Sequence, residues 1–146
     1  FGLLRKDGTL IENPVHYRDA RNDGMVELAK KYMSHEEMYD ITGIQFMDFN
    51  TIFQLLSLKE NRPYILEEAD KLLFMPDLLS YMLSGVKSTE YSIATTSQMV
   101  DLKTKDWSKD ILWSRVVVDL QSISKMARTP SSSASKNIIT PQPKHS

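Results

Sequence analysis

The chain has 146 residues, of which 41% are hydrophobic and 25% charged, and this is the composition of one ordinary globular domain. Its 18 basic residues nearly balance 19 acidic ones, so bulk charge does not favour binding to nucleic acid or to an anionic membrane. The absence of cysteine excludes disulfides and thiolate chemistry, and no apolar run approaches the roughly 18 residues that a membrane-spanning helix needs.

The first predicted element is a β-hairpin. Phe1–Leu4 and Pro14–Tyr17 have the composition of extended segments. Lys6-Asp7-Gly8 lies between them, and Asp-Gly is a strong signal for a hairpin turn. Because the chain starts inside an apolar, strand-like run and not at Met, we expect it to be a piece of a longer protein.

At least five helical segments are predicted after the hairpin. The signals in chain order are a cap at Asn22 or Asp23, a Ser34–Glu37 capping box with a stop at Gly43, a cap at Asn50, an N-terminal Pro63, a start at Pro76-Asp77 with a stop at Gly85, and a start at Asp106-Trp107-Ser108. The helix that starts at Pro63 is expected to run to about Leu72.

The composition changes after about Lys125. Three of the six prolines fall between residues 130 and 143, and Ser131–Ser135 is a low-complexity run. Such a segment has too little apolar surface to offset the entropy lost on ordering. We therefore predict that residues 127–146 form a disordered tail.

Metal and nucleotide sites are not indicated. The three histidines, His16, His35 and His145, include no pair at the i, i+4 spacing that places two ligands on one helix face. The five glycines are scattered and form no glycine-rich turn whose amides could hold phosphate. The sequence therefore predicts neither a metal ligand nor a bound cofactor in this chain.

His16–Asp23 is the densest polar cluster, and it lies where the second predicted strand gives way to a helix. It combines an aromatic ring with carboxylate and guanidinium groups, which is the chemistry that a sugar site needs. A solvated turn with a surface pair between Asp19 and Arg21 accounts for the same residues. Local features leave both interpretations open.

Thr42–Thr51 is the second candidate segment. The amides of Gln45 and Asn50 could line a polyol pocket, with Phe46 and Phe49 as apolar walls. The aromatic residues could equally belong to the core, with Asn50 serving only as a helix cap. This segment also leaves two interpretations open.

Several segments occur in a fixed order along the chain: Pro14–Arg21, Thr42–Phe46 followed by Phe49-Asn50-Thr51, Met75–Tyr81 with Leu83–Gly85, Glu90–Gln98, and Asp106-Trp107. Pro14–Arg21 resembles the end of a strand in the FGGY carbohydrate kinases. The later segments are similar to the L-rhamnulose kinases within that family. The resemblance covers roughly residues 1–112.

The resemblance implies an α/β protein with the ribonuclease-H-like, actin-like ATPase fold, which has two lobes with ATP in the cleft between them. Residues 1–112 would then be part of the N-terminal, sugar-binding lobe, an α+β portion with one β-hairpin and several helices. A divergent helical extension would follow at 113–126, before the tail at 127–146. From about Trp113 the sequence departs from the family pattern.

The family reaction implied by the resemblance is transfer of the ATP γ-phosphoryl group to the 1-hydroxyl of L-rhamnulose in the cytoplasm, with Mg²⁺ and a catalytic aspartate as base. The two phosphate-binding turns and the catalytic aspartate of the family have no counterpart in this chain. We therefore expect no catalytic residue here, no ATP or Mg²⁺ held by this chain, and no turnover by the chain alone.

By the same resemblance, two groups of residues approach the sugar. The implied substrate-binding residues are Tyr17, Arg18, Asp19, Gln45, Phe49 and Asn50. Asp48 stands where the family usually has proline, which would loosen the turn before Phe49.

Two alternatives remain. The chain could be a non-catalytic helical module that binds a partner protein, or associates with itself or aggregates, through exposed apolar residues such as Phe1, Leu3 and Leu4. It could also derive from a kinase of the same family that acts on another ketose or a polyol. Neither alternative involves a nucleic acid or a membrane.

Overall fold

The computed structural model describes residues 1–113, which form short helices and two small antiparallel sheets. The helices are α1 (Met25–Ala29), α2 (His35–Thr42), α3 (Thr51–Asn61), α4 (Pro63–Glu68), α5 (Met75–Ser84), α6 (Tyr91–Thr95) and α7 (Lys109–Trp113). The strands are β1 (Gly2–Leu4), β2 (Lys71–Leu73), β3 (Val100–Asp101) and β4 (Asp106–Trp107). A turn of 3-10 helix, Ala20–Asn22, precedes α1.

Strand β1 pairs with β2, which lies far along the chain. The two strands are antiparallel, with Gly2 opposite Leu73, and every residue in both is buried. The prediction of a helix from Pro63 to about Leu72 is wrong in its second half. Helix α4 ends at Glu68, because Ala69 adopts an extended conformation and the apolar run that follows joins the sheet. A short apolar run is compatible with either element, and the pairing decides between them.

The predicted turn at Asp7-Gly8 forms, but the second arm of the hairpin does not. Gly8 has a φ of 89°, which glycine adopts without strain. The returning chain makes one bridge, between Leu4 and Leu10. Residues 14–17 are not a strand, and Pro14 has no N–H to donate to a ladder.

The predicted ends of α2 and α5 are confirmed. The Ser34 hydroxyl accepts from the Glu37 amide at 3.2 Å, and the Glu37 carboxylate accepts in return from the Ser34 amide at 3.1 Å. Gly43 and Gly85 end their helices in the left-handed conformation. Local chemistry alone specifies these positions.

The last described elements differ from the prediction by a few residues. Asp106 and Trp107 are strand β4, paired with β3, and are not the start of a helix. Helix α7 begins at Lys109. The hydroxyl of the preceding residue, Ser108, accepts a hydrogen bond from the Ile111 amide at 3.3 Å. The predicted tail, and the predicted extension from residue 114 onward, lie outside the described residues.

Helix α3 forms the centre of the core. Thr51–Leu58 is buried without interruption, and Phe53 is 0% exposed. Its buried polar side chains bond to neighbouring backbone: Gln54 Nε2 donates to the Phe49 carbonyl at 2.7 Å, and Ser57 Oγ donates to the Arg21 carbonyl at 2.7 Å. One buried helix therefore holds two segments that are distant in sequence.

Asp77, in the first turn of α5, is a buried carboxylate with one unpartnered oxygen. Its side chain is 6% exposed, and Oδ1 accepts from the Glu90 amide at 3.2 Å. Within the described part of the chain, Oδ2 has no hydrogen-bond partner. Burial raises the pKa of Asp77 above its ordinary value of 3.8, and the Glu90 charge adds to this, whereas the Glu90 amide and the Lys71 charge act in the opposite direction.

Replacing Asp77 with asparagine is expected to remove one contribution to the pH dependence of stability, a contribution that falls as pH rises. The folded state binds the Asp77 proton more tightly than the unfolded state, so this contribution to stability is complete below about pH 3.8 and is lost as pH rises through the higher folded-state pKa. An asparagine side chain does not titrate in this range. Urea unfolding from pH 3.5 to 7 should show D77N gaining stability relative to the unsubstituted chain as pH rises, and parallel curves would contradict this.

No helix within residues 1–113 has the length and apolar character needed to cross a bilayer.

Candidate functional site

The segment from His16 to Asn22 is held in a compact turn that leaves residues 16–20 exposed. Asp19 Oδ1 accepts from the Arg21 amide at 3.0 Å and so caps the 3-10 turn. Asn22 Nδ2 donates to the Tyr17 carbonyl at 3.1 Å, which closes the segment on itself. The side chains of residues 17–19 are therefore exposed on a backbone that these two hydrogen bonds hold in place.

Phe49 meets this turn from a segment 30 residues further along the chain. The Tyr17 and Phe49 rings are 5.6 Å apart at 89°, in an edge-to-face arrangement. The Arg18 guanidinium carbon lies 5.5 Å from the centre of the Tyr17 ring and 6.0 Å from that of Phe49. The fold thus joins the two polar segments that the sequence singled out separately.

Between the two segments lies an open cleft of about 670 Å³. Its lining residues are Tyr17, Arg18, Asp19, Asn22, Asp23, Gly24, Val26, Glu27, Phe46, Met47, Asp48 and Phe49. Four of these carry carboxylates and one carries a guanidinium, so the described lining is acidic overall. Aromatic rings beside hydroxyl-binding groups are the surface that a neutral polyol fits.

His35 fixes the distance between two walls of this cleft. Its ring stacks on Phe46, with centres 4.2 Å apart and planes at 24°. Its Nε2 donates to the Val26 carbonyl at 3.1 Å. Phe46 also contacts Phe53 in the core, at 6.1 Å between ring centres. The cleft wall is thereby continuous with the hydrophobic core.

The six residues predicted to approach the sugar occupy three kinds of position. Tyr17, Arg18, Asp19 and Phe49 line the cleft together. Gln45 is exposed but is not among the described lining residues.

Asn50 lies beneath the loop at residues 44–50 and is 6% exposed. Its Nδ2 donates to the Gln45 carbonyl at 2.9 Å and to Gln98 Oε1 at 2.8 Å. Asn50 is the N-cap residue of α3, as predicted, but its side chain makes no capping bond.

The sequence analysis missed several lining residues. Gly24, Val26 and Glu27 were not considered for the site. Asn22 and Asp23 belong to the polar cluster and were also expected to cap α1, but the N-cap residue of α1 is Gly24. Asn22 is 2% exposed, and its Oδ1 has no partner within the described residues. The acidic Glu27, near the start of α1, was the available signal for a polar lining. It could be interpreted in this way only once α1 was known to face residues 46–49.

No group of three or more His, Asp or Glu side chains within residues 1–113 is placed to hold a metal ion. The Asp7-Gly8 turn does not fit nucleotide phosphate, because the amides of Arg5, Gly8 and Thr9 already donate within the turn. This turn therefore does not fit the phosphates of ATP, and the described carboxylates are not grouped to hold its Mg²⁺.

Comparison with known proteins identifies the family. The profile of the FGGY family of carbohydrate kinases, N-terminal domain, matches residues 2–141. Rhamnulokinase from Bacteroides thetaiotaomicron is 48% identical over 112 residues, and rhamnulokinase from Yersinia pestis (strain Angola) is 42% identical over the same length. Each match covers 77% of this chain and 23% of the relative, so the chain spans about a quarter of the curated relatives it matches.

Solved structures agree with the fold expected from the sequence. Gluconate kinase from Lactobacillus acidophilus superposes with a TM-score of 0.72 at 22% identity, covering 83% of this chain and 24% of that one. Xylulose kinase from the same organism gives 0.71 at 23% identity, covering 81% and 24%. The expected fold class, part of the N-terminal lobe of an actin-like ATPase fold, is confirmed. The chain belongs to the FGGY family of carbohydrate kinases.

Proposed function

We propose that this chain forms part of the sugar-binding lobe of an L-rhamnulose kinase, whose reaction transfers the ATP γ-phosphoryl group to the 1-hydroxyl of L-rhamnulose. The observation that carries the proposal is the cleft in which Tyr17, Arg18 and Asp19 meet Phe49. The relatives named rhamnulokinase, at 42–48% identity, supply the choice of sugar. We also propose that the lobe comprises residues 1–112.

The cleft offers two complementary surfaces to a ketose. The Asp19 carboxylate can accept from sugar hydroxyls and the Arg18 guanidinium can donate to them, with the bonds strengthened by charge. The rings of Tyr17 and Phe49 present apolar area to the C–H face of the sugar. Gln45 and Asn50 belong to the loop at residues 44–50 that presents Phe49, and we propose that they serve the sugar through this loop.

The charge of the lining separates sugar classes. Asp23, Glu27 and Asp48 surround the cleft together with Asp19, against the single cation Arg18 among the described lining residues. A carboxylated sugar such as gluconate would meet repulsion there, whereas an uncharged ketose or polyol would not. The acidic lining therefore favours a neutral sugar.

Phosphoryl transfer requires groups that, we propose, lie outside the described residues. A base for the sugar hydroxyl and a cradle for the ATP phosphates are needed together. We propose that the chain alone binds sugar without turnover. A coupled ADP assay with ATP, Mg²⁺ and L-rhamnulose should then stay at background, and turnover that persists through purification would contradict this.

The proposal is tested by titrating the nitrogen-15-labelled 146-residue chain with L-rhamnulose and, in parallel, with gluconate. L-rhamnulose should shift the amides of residues 17–19 and 46–49, and gluconate should shift them less at equal concentration. A folded chain whose amides respond to no sugar would contradict the proposal. It would favour the non-catalytic interaction module. Leu3 and Leu4, which were expected to be exposed in that module, are buried where β1 pairs with β2. The exposed apolar surface is instead on α5, at Leu79, Met82 and Leu83.

A further inference from the structure

Gln98, between α6 and β3, is a buried polar residue in an unusual backbone conformation. It is 0% exposed and has a φ of 63°, which residues other than glycine seldom adopt. Both neighbours fix it in place: the Ser97 carbonyl accepts from the Ile52 amide at 3.1 Å, and the Met99 carbonyl accepts from the Ser108 amide at 2.9 Å. The side chain is thus held on the inner side of the loop at residues 44–50.

The Gln98 amide bonds to both ends of that loop. Its Oε1 accepts from Asn50 Nδ2 at 2.8 Å, and its Nε2 donates to the Ile44 carbonyl at 3.4 Å. Asn50 Nδ2 also donates to the Gln45 carbonyl at 2.9 Å. Two buried amide side chains therefore close the loop at its base.

The residues between these anchor points form one wall of the cleft. Residues 46–49 all line it, and Gln98 is not among the described lining residues. An amide that is buried without its partners is unfavourable, so the loop conformation in which the Gln98 and Asn50 amides are both bonded is favoured. The shape of the wall consequently depends on a residue outside the cleft.

We propose that Gln98 is a positioning residue for the sugar cleft: through its bonds to Asn50 and Ile44 it fixes the loop that presents Phe46 and Phe49 to the ligand. That the ligand is a sugar rests on the proposed function. The effect of Gln98 on the conformation of the loop does not depend on the identity of the ligand. Two separate measurements therefore test the two ideas.

Gln98→Met removes both hydrogen bonds and keeps the length of the side chain. In the 146-residue chain without ligand, the nitrogen-15 order parameters of residues 45–49 should fall from about 0.85 towards 0.6. Affinity for L-rhamnulose, measured by calorimetry, should fall about tenfold or more, because ordering the loop then opposes binding. Unchanged order parameters would overturn the proposal.

Two further variants separate positioning from general destabilisation. Ser108→Ala removes another buried side-chain hydrogen bond, from a residue that is 2% exposed and lies outside the described cleft lining. It should leave the order parameters of 45–49 and the sugar affinity unchanged. If Gln98→Met does not fold, Gln98→Asn replaces it, because asparagine tolerates positive φ but is one methylene too short to hold both contacts.

Loss of loop order in the Gln98 variant that folds, with Ser108→Ala unaffected, supports the proposal. Equal behaviour of the Gln98 and Ser108 variants overturns it. If the unsubstituted chain binds no sugar while the Gln98 variants still lose order at residues 45–49, the proposed function fails and the positioning of the loop by Gln98 stands.

Discussion

Phe53→Ala is expected to lower the free energy of unfolding by about 3–5 kcal/mol. Phe53 is 0% exposed in the centre of α3, so the substitution leaves a cavity that the surrounding helices cannot fully close. Domains of this size are stabilised by about 5–15 kcal/mol in total. The variant should therefore be largely unfolded under mild denaturing conditions in which the unsubstituted chain is folded.

Urea unfolding followed by far-ultraviolet circular dichroism measures this effect. Phe53→Leu fills most of the space and should lose about 1–2 kcal/mol. Tyr39→Ala removes an aromatic ring of similar size that is 53% exposed on α2, and it should change stability by less than about 0.5 kcal/mol. Equal losses in Phe53→Ala and Tyr39→Ala would show that α3 is not the centre of the core.

The same substitution should also weaken the cleft. Phe53 packs against Phe46, and the neighbouring Gln54 and Ser57 hold the Phe49 and Arg21 carbonyls on the two sides of the cleft. A shift of α3 therefore moves both walls. At temperatures where a folded fraction of Phe53→Ala remains, that fraction should bind sugar less tightly than the unsubstituted chain.

Features set by local chemistry could be predicted from the sequence. The Ser34–Glu37 capping box and the stop at Gly85 depend on residues within one helical turn, and the structure has both as predicted. The partner of β1 could not be predicted in this way. Whether Leu72 belongs to a helix or a strand depends on its pairing with Leu3, at the far end of the described chain.

In the candidate site, too, local features could be predicted from the sequence and contacts between distant residues could not. Residue type left a sugar-binding role open for Asp19 and Phe49, the family resemblance favoured that role, and both residues line the cleft. Residue type could not show that Asn50 is buried and donates to Gln98, because that contact joins residues 48 positions apart. A polar residue at the start of a helix has the same sequence neighbours whether its side chain faces a ligand or bonds to an adjacent loop.

Asp19 provides the sharpest test of the cleft, because its two roles can be separated by two substitutions. Its Oδ1 caps the 3-10 turn through the Arg21 amide, and its charge faces the cleft. Asp19→Asn keeps an oxygen for the cap and removes the charge. Asp19→Ala removes both.

Asp19→Asn should lower affinity for L-rhamnulose by about tenfold or more while leaving the free energy of unfolding nearly unchanged, because a hydrogen bond to a charged acceptor contributes about 1.5–3 kcal/mol. Asp19→Ala should lose the same affinity and, in addition, about 1 kcal/mol of stability from the missing cap. Calorimetric titration and urea unfolding measure the two quantities. Asp40→Asn, an exposed carboxylate on α2 outside the described lining, serves as the control and should change neither.

The two possible roles of the Asp19 carboxylate make different predictions for a charged sugar. If the Asp19 charge faces the ligand, Asp19→Asn should improve the binding of gluconate relative to L-rhamnulose, since one repulsive carboxylate is gone while the loop and the cap are intact. If Asp19 serves only as a cap, Asp19→Asn should bind both sugars as the unsubstituted chain does. The ratio of the two affinities therefore decides whether this carboxylate selects the ligand or only shapes the turn.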